Sequence, residues 1–204
     1  MSALYDEGYI KYQQHWQHAE ALSEEETAAL RHWRRIIYDL GWIGHYPELG
    51  VGYGNISMRC APEKGRFIIS ATQTGHLSDL EPAHITTVQN YDIPANQLWC
   101  RGPLQASSES LTHAAVYELD KKWQAVIHIH EAEAWKALMH QLPTSDSSVP
   151  YGTPEMALEV KRLYEQSDLS EQKILVMGGH EEGIISFGES LEEATQVLLE
   201  WLNP

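Results

Sequence analysis

The segment Ala125-Val126-Ile127-His128-Ile129-His130 alternates between aliphatic and imidazole side chains. A period of two belongs to a β-strand, so Ile127 and Ile129 point to one face and His128 and His130 to the other. At about 3.3 Å rise per residue the two histidine Cα atoms stand roughly 6.6 Å apart on that shared face. On a helix, residues two apart do not face each other. The alternation and the His-x-His spacing therefore support one another: a half-buried strand in a sheet is expected, with two imidazoles able to converge on one ion. Zinc comes first among divalent metals because imidazole suits it. Eleven histidines in 204 residues produce chance pairs, and two satisfied histidines at a sheet surface are the plainer alternative. A metal site needs a third protein ligand and an open position. Glu109, upstream of the pair, and His180, downstream, are both candidates.

The length fits one domain with a sizeable core, and 43% hydrophobic and 21% charged residues are ordinary for a globular chain. A net charge of −15, with a pI near 5.0, argues against nucleic acid or an anionic membrane as partner. Any anionic ligand has to find a locally positive site, such as a metal or a helix N-terminus. Cys60 and Cys100 are the two cysteines, too few for a disulfide framework or a cysteine-type zinc site. The first residues lack a charged region followed by an apolar run, and no stretch reaches the ~18 apolar residues of a membrane span. A cytoplasmic location is the expectation.

Local signals divide the chain into alternating elements. Ser23-Glu24-Glu25-Glu26 is a capping box; the helix it opens carries Leu30, Trp33, Ile37 and Leu40 and stops at Gly41. Residues 1–22 are expected to form an N-terminal helical extension. After the glycine-studded run Gly50-Val51-Gly52-Tyr53-Gly54-Asn55, strands are expected over 56–60 and 66–71, joined by a turn containing Pro62 and Gly65, and a third over about 85–91. Ser107 and Ser108 precede a helical stripe of Leu111, Ala114, Ala115 and Leu119, with serine as N-cap and Glu109 in the first turn. A helix over about 131–142, a Pro/Ser-rich connection over 143–152 and a helix over about 154–164 follow. The last third reads as strand (174–177), a Gly-Gly loop carrying His180, strand (184–188), and a helix to Leu202 opened by Ser190-Leu191-Glu192-Glu193. Together these make one mixed α/β domain over 1–204.

Element order separates metal folds. A cupin places its histidine pair before the glutamate and is almost wholly β. A metallo-β-lactamase needs His-x-His-x-Asp-His, whereas His130 is followed by Glu131-Ala132-Glu133-Ala134. A helical His-Glu-x-x-His is absent from the sequence. Gly54-Asn55-Ile56-Ser57, Ser107-Ser108-Glu109 with His113 and Tyr117, His128-Ile129-His130, and His180 before Gly183-Ile184-Ile185 stand in the order and at the separations of another group. On these four motifs the chain, over about residues 25–202, resembles the class II aldolase/adducin family.

The resemblance implies a three-layer α/β/α fold around a largely antiparallel central sheet. It implies a divalent metal, most often Zn2+ (with Mn2+, Fe2+ or Co2+ as alternatives), held by His128, His130 and His180, and a proton-transferring role for Glu109. It places the phosphate of a sugar phosphate at Asn55, Thr74, Gly75, Ser107 and Ser108. It also implies a homo-oligomer, commonly a tetramer with sites between subunits, acting on a small molecule. The implied function is a metal-dependent aldolase-type lyase, cleaving a C–C bond of a hydroxy-carbonyl sugar or sugar phosphate through a metal-stabilised enediolate. An epimerase or dehydratase on the same scaffold and a non-catalytic adducin-like module are the alternatives; intact Glu109, His128, His130 and His180 argue against the last. Three departures stand out. The usual Thr-Pro-Ser-Gly turn is replaced by Ser70-Ala71-Thr72-Gln73-Thr74-Gly75, which leaves a carboxylate open beside a phosphate. Glu181 and Glu182 follow His180. The connection that carries a catalytic tyrosine in fuculose-type aldolases is short here and ends at Tyr151, so the general acid is unassigned between Tyr151 as acid and Tyr151 as core.

Overall fold

The computed structural model describes residues 8–60 and 65–202. An eight-stranded sheet has the order β1-β7-β6-β5-β4-β8-β10-β9. Its strands are β1 (Gln13–His18), β4 (Asn55–Arg59), β5 (Phe67–Ser70), β6 (Ile85–Asp92), β7 (Gln97–Gly102), β8 (Ala125–His130), β9 (Ile174–Val176) and β10 (Gly183–Gly188). Every neighbouring pair is antiparallel except β1 with β7. A small ladder, β2 (Gly44–Tyr46) with β3 (Val51–Tyr53), stands beside it. The helices are α1 (Glu24–Asp39), α2 (Ser110–Leu119), α3 (Ala132–Leu138), α4 (Pro154–Gln166), α5 (Leu169–Gln172) and α6 (Leu191–Leu202).

Two apolar clusters, one on each face of the sheet, make this a three-layer α/β/α arrangement. Phe67, Ile69, Val126, Ile185 and Phe187 face Leu111, Ala114 and Val116 of α2 and Met156, Val160 and Leu163 of α4. Ile56, Ile68, Ile127, Ile129 and Ile184 face Leu30 and Ile37 of α1 and Ala194 and Leu198 of α6. Each fully buried aliphatic side chain contributes about 1.5–3 kcal/mol, so slipping β8 by one residue would drive His128 and His130 into the second cluster and is strongly disfavoured. The alternation of β8 is therefore as read. The strand is buried on both faces rather than half-buried, because α2 and the loop before β10 cover the histidine side.

The capping box of α1 forms: Ser23 Oγ accepts from the Glu26 N–H at 3.2 Å, and the Glu26 carboxylate accepts from the Ser23 N–H at 2.8 Å. The helix stops where Gly41 turns to φ +79°. The Gly41 N–H donates to Tyr38 O and the Trp42 N–H to Ile37 O, a Schellman closure. That closure presents the Trp42 carbonyl to the His130 N–H at 3.0 Å, so the end of α1 pins the end of β8.

Several boundaries differ from expectation. Residues 13–18, expected in a helical extension, form strand β1, since β7 offers them an open edge in register from Gln13↔Gln97 to His18↔Gly102. Pro62 lies outside the described residues. Glu109, not a serine, occupies the N-cap of α2; Ser107 instead accepts from the Glu109 N–H through Oγ at 3.3 Å and from the Ser110 N–H through its carbonyl at 3.1 Å. Helix α3 ends at Leu138, four residues short of the expectation. At α6 the Ser190 Oγ accepts from the Glu193 N–H at 3.1 Å, while the Glu193 carboxylate takes the Glu189 N–H and the Lys173 ammonium.

Candidate metal centre

β8 delivers His128 and His130, and the loop between β9 and β10 delivers His180. The three imidazoles, all buried, offer ligand nitrogens within 4.8 Å of one another. Their ring centroids are 5.0, 5.0 and 4.8 Å apart. The His180 loop is bound tightly to the rest of the fold: a Cβ on Gly179 would stand 2.0 Å from the Val149 carbonyl oxygen, so only glycine passes there. His180 then closes a turn, its carbonyl accepting the Gly183 N–H at 3.0 Å, with Glu182 in the left-handed region at φ +67°.

Burial, and then the neighbouring imidazoles, hold His128 and His130 well below the ordinary histidine pKa. Both are neutral at physiological pH, the form that offers a lone pair to a metal. His128 Nε2 is buried with no hydrogen-bond partner. Its Nδ1 lies 3.3 Å from the side-chain amide of Asn55, the residue directly across the β4–β8 ladder. Asn55 Oδ1 is also buried without a hydrogen-bond partner, and amide orientation follows the hydrogen-bond network. Turning the amide pairs Oδ1 with an Nδ1–H and leaves Nε2 as the lone-pair nitrogen aimed at the cluster. The donor set and its orphaned nitrogen thus fit a divalent ion bound by three imidazoles.

Glu109 is 1% exposed and makes no side-chain cap to α2. Its Oε1 lies 3.5 Å from His180 Nδ1. The carboxylate therefore belongs to the histidine cluster, not to the helix end. Aromatic rings close the site: Tyr151 stacks on His180 at 4.4 Å and Tyr53 on His130 at 5.2 Å. The Tyr151 hydroxyl reaches the backbone of Tyr9, accepting its N–H at 3.1 Å, and the residue is 3% exposed. The ring is a wall of the site. Burial, and then the Glu182 charge, raise the Tyr53 pKa, so that phenol stays protonated.

Asn55, Thr74, Gly75, Ser107 and Ser108 line one small recess together with Thr72 and Gln73. All five residues picked out for an anion thus come together, and Asn55 joins the recess to His128. The Thr74 hydroxyl is committed to the turn, donating to Ala71 O at 2.7 Å. The turn is tied down by Arg34 of α1, whose guanidinium donates to the carbonyls of Thr74, Gly75 and Ser78 at 3.1–3.2 Å. Burial lowers the Arg34 pKa to about 10, which leaves it charged.

Solved structures share this architecture. L-fuculose 1-phosphate aldolase superimposes with a TM-score of 0.62 at 17% identity, over 88% of this chain and 82% of that one. YgbL from Klebsiella pneumoniae, an aldolase/epimerase/decarboxylase candidate, gives 0.61 at 18% identity, over 87% and 84%. An aldolase II superfamily protein from Pseudomonas syringae gives 0.58 at 22% identity, over 87% and 72%. At these identities the likeness concerns the fold. The sequence itself matches the class II aldolase and adducin N-terminal domain over residues 34–202. The chain belongs to the class II aldolase/adducin family. No curated protein sequence matches it. Among the described residues, no helix of this family member is long and apolar enough to cross a membrane.

Arg34, Tyr46 and Tyr53 were not legible as site residues. Arg34 reads as an exposed helix charge, and the Tyr46–Tyr53 pair, 4.6 Å apart, sits on strands too short to announce themselves. Glu182 was legible only as an extra acid beside His180.

Proposed function

We propose that this protein is a metal-dependent lyase of the aldolase type, cleaving a C–C bond of a hydroxy-carbonyl substrate with an anionic end. The observation that carries the reading is the convergence of three buried neutral imidazoles with the buried Glu109 carboxylate, beside a recess rich in hydrogen-bond donors. His128, His130 and His180 would hold the ion, with zinc the leading candidate. A bound divalent ion supplies Lewis acidity, polarising a carbonyl and stabilising the negative charge that develops beside it. Glu109 takes or returns the proton at the carbon or oxygen next to that carbonyl; a carboxylate shielded from water and held near the ligands suits this role. Ser107, Ser108 and the 74–75 turn bind the anionic end with hydroxyl and N–H donors. Tyr53 and Tyr151 exclude water around the histidines. Subunits of a homo-oligomer, in the proposal a tetramer, would complete the mouth of the site.

The test is elemental analysis of protein purified without chelator, followed by a screen of ketose phosphates and sugar-derived acids for aldehyde release. About one divalent ion per chain is expected, with sharp loss in His128→Ala. Absence of metal even after zinc or manganese addition overturns the proposal. Metal binding with isomerised or dehydrated products, and no aldehyde, replaces the lyase by an epimerase or dehydratase.

A further inference from the structure

Tyr46 stands between His130 and Glu182. Its hydroxyl oxygen is 3.1 Å from His130 Nδ1 and bonds the Glu182 carboxylate on its other side. The Glu182 oxygen is 3.9 Å from that same nitrogen, with the phenol oxygen bridging the two. We propose that Glu182, acting through Tyr46, is a positioning device that fixes the tautomer of His130 and thereby sets the affinity of the metal centre. This rests on the metal-centre reading above.

The direction of the chain follows from donor inventory. A phenol has one hydrogen, and a carboxylate can only accept. The Tyr46 hydrogen therefore goes to Glu182. The phenol oxygen, polarised by that charge-assisted bond, accepts from His130 Nδ1–H. With the ring hydrogen on Nδ1, Nε2 keeps its lone pair, and the imidazole can act only as a ligand through that atom. An outer carboxylate that takes the second ring hydrogen orients a metal-binding histidine and raises its basicity. Here the carboxylate does so at one remove.

The fold spends backbone strain to place this acid. Glu182 sits at φ +67°, where side-chain-bearing residues are uncommon. Its carbonyl accepts the Glu131 N–H at 3.0 Å, next to the end of β8. The turn that carries His180 therefore also carries the carboxylate that serves His130. Tyr46 arrives from the β2–β3 ladder, and its ring rests on Tyr53, which stacks on His130. Ligand, bridge and carboxylate thus come from three separate segments and meet at one ring.

The test compares wild type, Tyr46→Phe, Glu182→Gln and the double variant, each stripped of metal and titrated with zinc against a chromophoric chelator. Each single variant is expected to bind zinc about 10- to 100-fold more weakly, the usual scale for an outer partner of a ligand. The double variant is expected to match Tyr46→Phe within about twofold, since the two groups act in series. In the metal-free protein, 15N imidazole spectra are expected to show His130 as the Nδ1–H tautomer in wild type. Glu182→Gln is expected to populate Nε2–H, because the glutamine amide can donate to the phenol oxygen and turn the Tyr46 hydrogen toward Nδ1. The Glu182 side chain is 26% exposed, so this variant should fold even if Tyr46→Phe does not. Single variants with wild-type zinc affinity, or a wild-type His130 already in the Nε2–H form, overturn the proposal while leaving the metal centre standing. A wild type that binds no zinc overturns both.

Discussion

His113 gives the sharpest solution test of the packed interior. It is wholly buried, and its Nδ1 and Ser57 Oγ lie 2.7 Å apart, with the Tyr117 hydroxyl 2.7 Å from the same Ser57 oxygen. Its Nε2 has no hydrogen-bond partner, so a proton added there finds no acceptor. Burial pushes the pKa down to about 3, from an ordinary value of 6.5. The unfolded chain therefore binds a proton near pH 6.5 that the folded chain refuses until about pH 3. Between those values the unfolded state carries more protons, and stability falls as the pH falls. At up to about 1.36 kcal/mol per pH unit, with the unfolded group already partly titrated near 6.5, lowering the pH from 7.0 to 4.5 costs about 2.5 kcal/mol from this residue alone. The assay is urea unfolding in chelator at pH 7.0 and pH 4.5, for wild type and His113→Asn. Asparagine keeps a polar group near Nδ1 but does not titrate. The variant is expected to be weaker at both pH values because it leaves a void, yet to lose about 2.5 kcal/mol less than wild type on acidification. His128 and His130 are common to both proteins and cancel in the comparison. Equal acid sensitivity in the two proteins refutes the reasoning.

Glu109→Gln should keep the fold and most metal while lowering kcat about 100-fold or more, the scale of general acid–base catalysis; steady-state kinetics on the first substrate identified checks this, and unchanged turnover moves the base elsewhere. Ser107→Ala and Ser108→Ala should each raise KM about tenfold or more for an anionic substrate, from the ~1.5–3 kcal/mol of a hydrogen bond to a charged group. Thr74→Ala should do less, since its hydroxyl already serves Ala71 O; an equal effect from Thr74 would mean the turn itself moves. Light scattering at micromolar concentration should give a multiple of the 23.2 kDa chain mass, and a monomer there contradicts the proposed oligomer.

What the sequence disclosed and what it withheld divide along a physical line. β8 was legible because one face of its alternation is aliphatic and the other imidazole. The start of α1 was legible because Ser23 and Glu26 satisfy its first N–H groups locally. β1 was not: Gln13-Gln14-His15-Trp16-Gln17-His18 has neither alternation nor an apolar face, and it becomes a strand because β7 offers hydrogen bonds, a context effect that propensity does not carry. The serines before α2 resemble caps, yet the Ser107 hydroxyl and carbonyl build the turn that holds Glu109, whose carboxylate lies beside His180. His128 and His130 could be picked out from the strand itself, whereas His180 and Glu109 were candidates by position and were assigned through the family resemblance. Tyr46, and its link to Glu182, could not be picked out, because that contact spans most of the chain and exists only after β2–β3 and the His180 turn have folded.

Asn55 touches His128 with one end of its amide and faces the serine-lined recess with the rest. An amide has one orientation at a time. When its oxygen takes the His128 Nδ1–H, its NH2 is the group left to meet whatever occupies the recess. That orientation is the one a metal on His128 Nε2 requires and the one an anion prefers. On the proposed function, ion and anion then select the same state of a single side chain, and each must raise the other's affinity by the same factor. Zinc affinity measured with and without phosphate or a carboxylate would report that factor, and Asn55→Asp, which offers oxygen on both sides, would erase it.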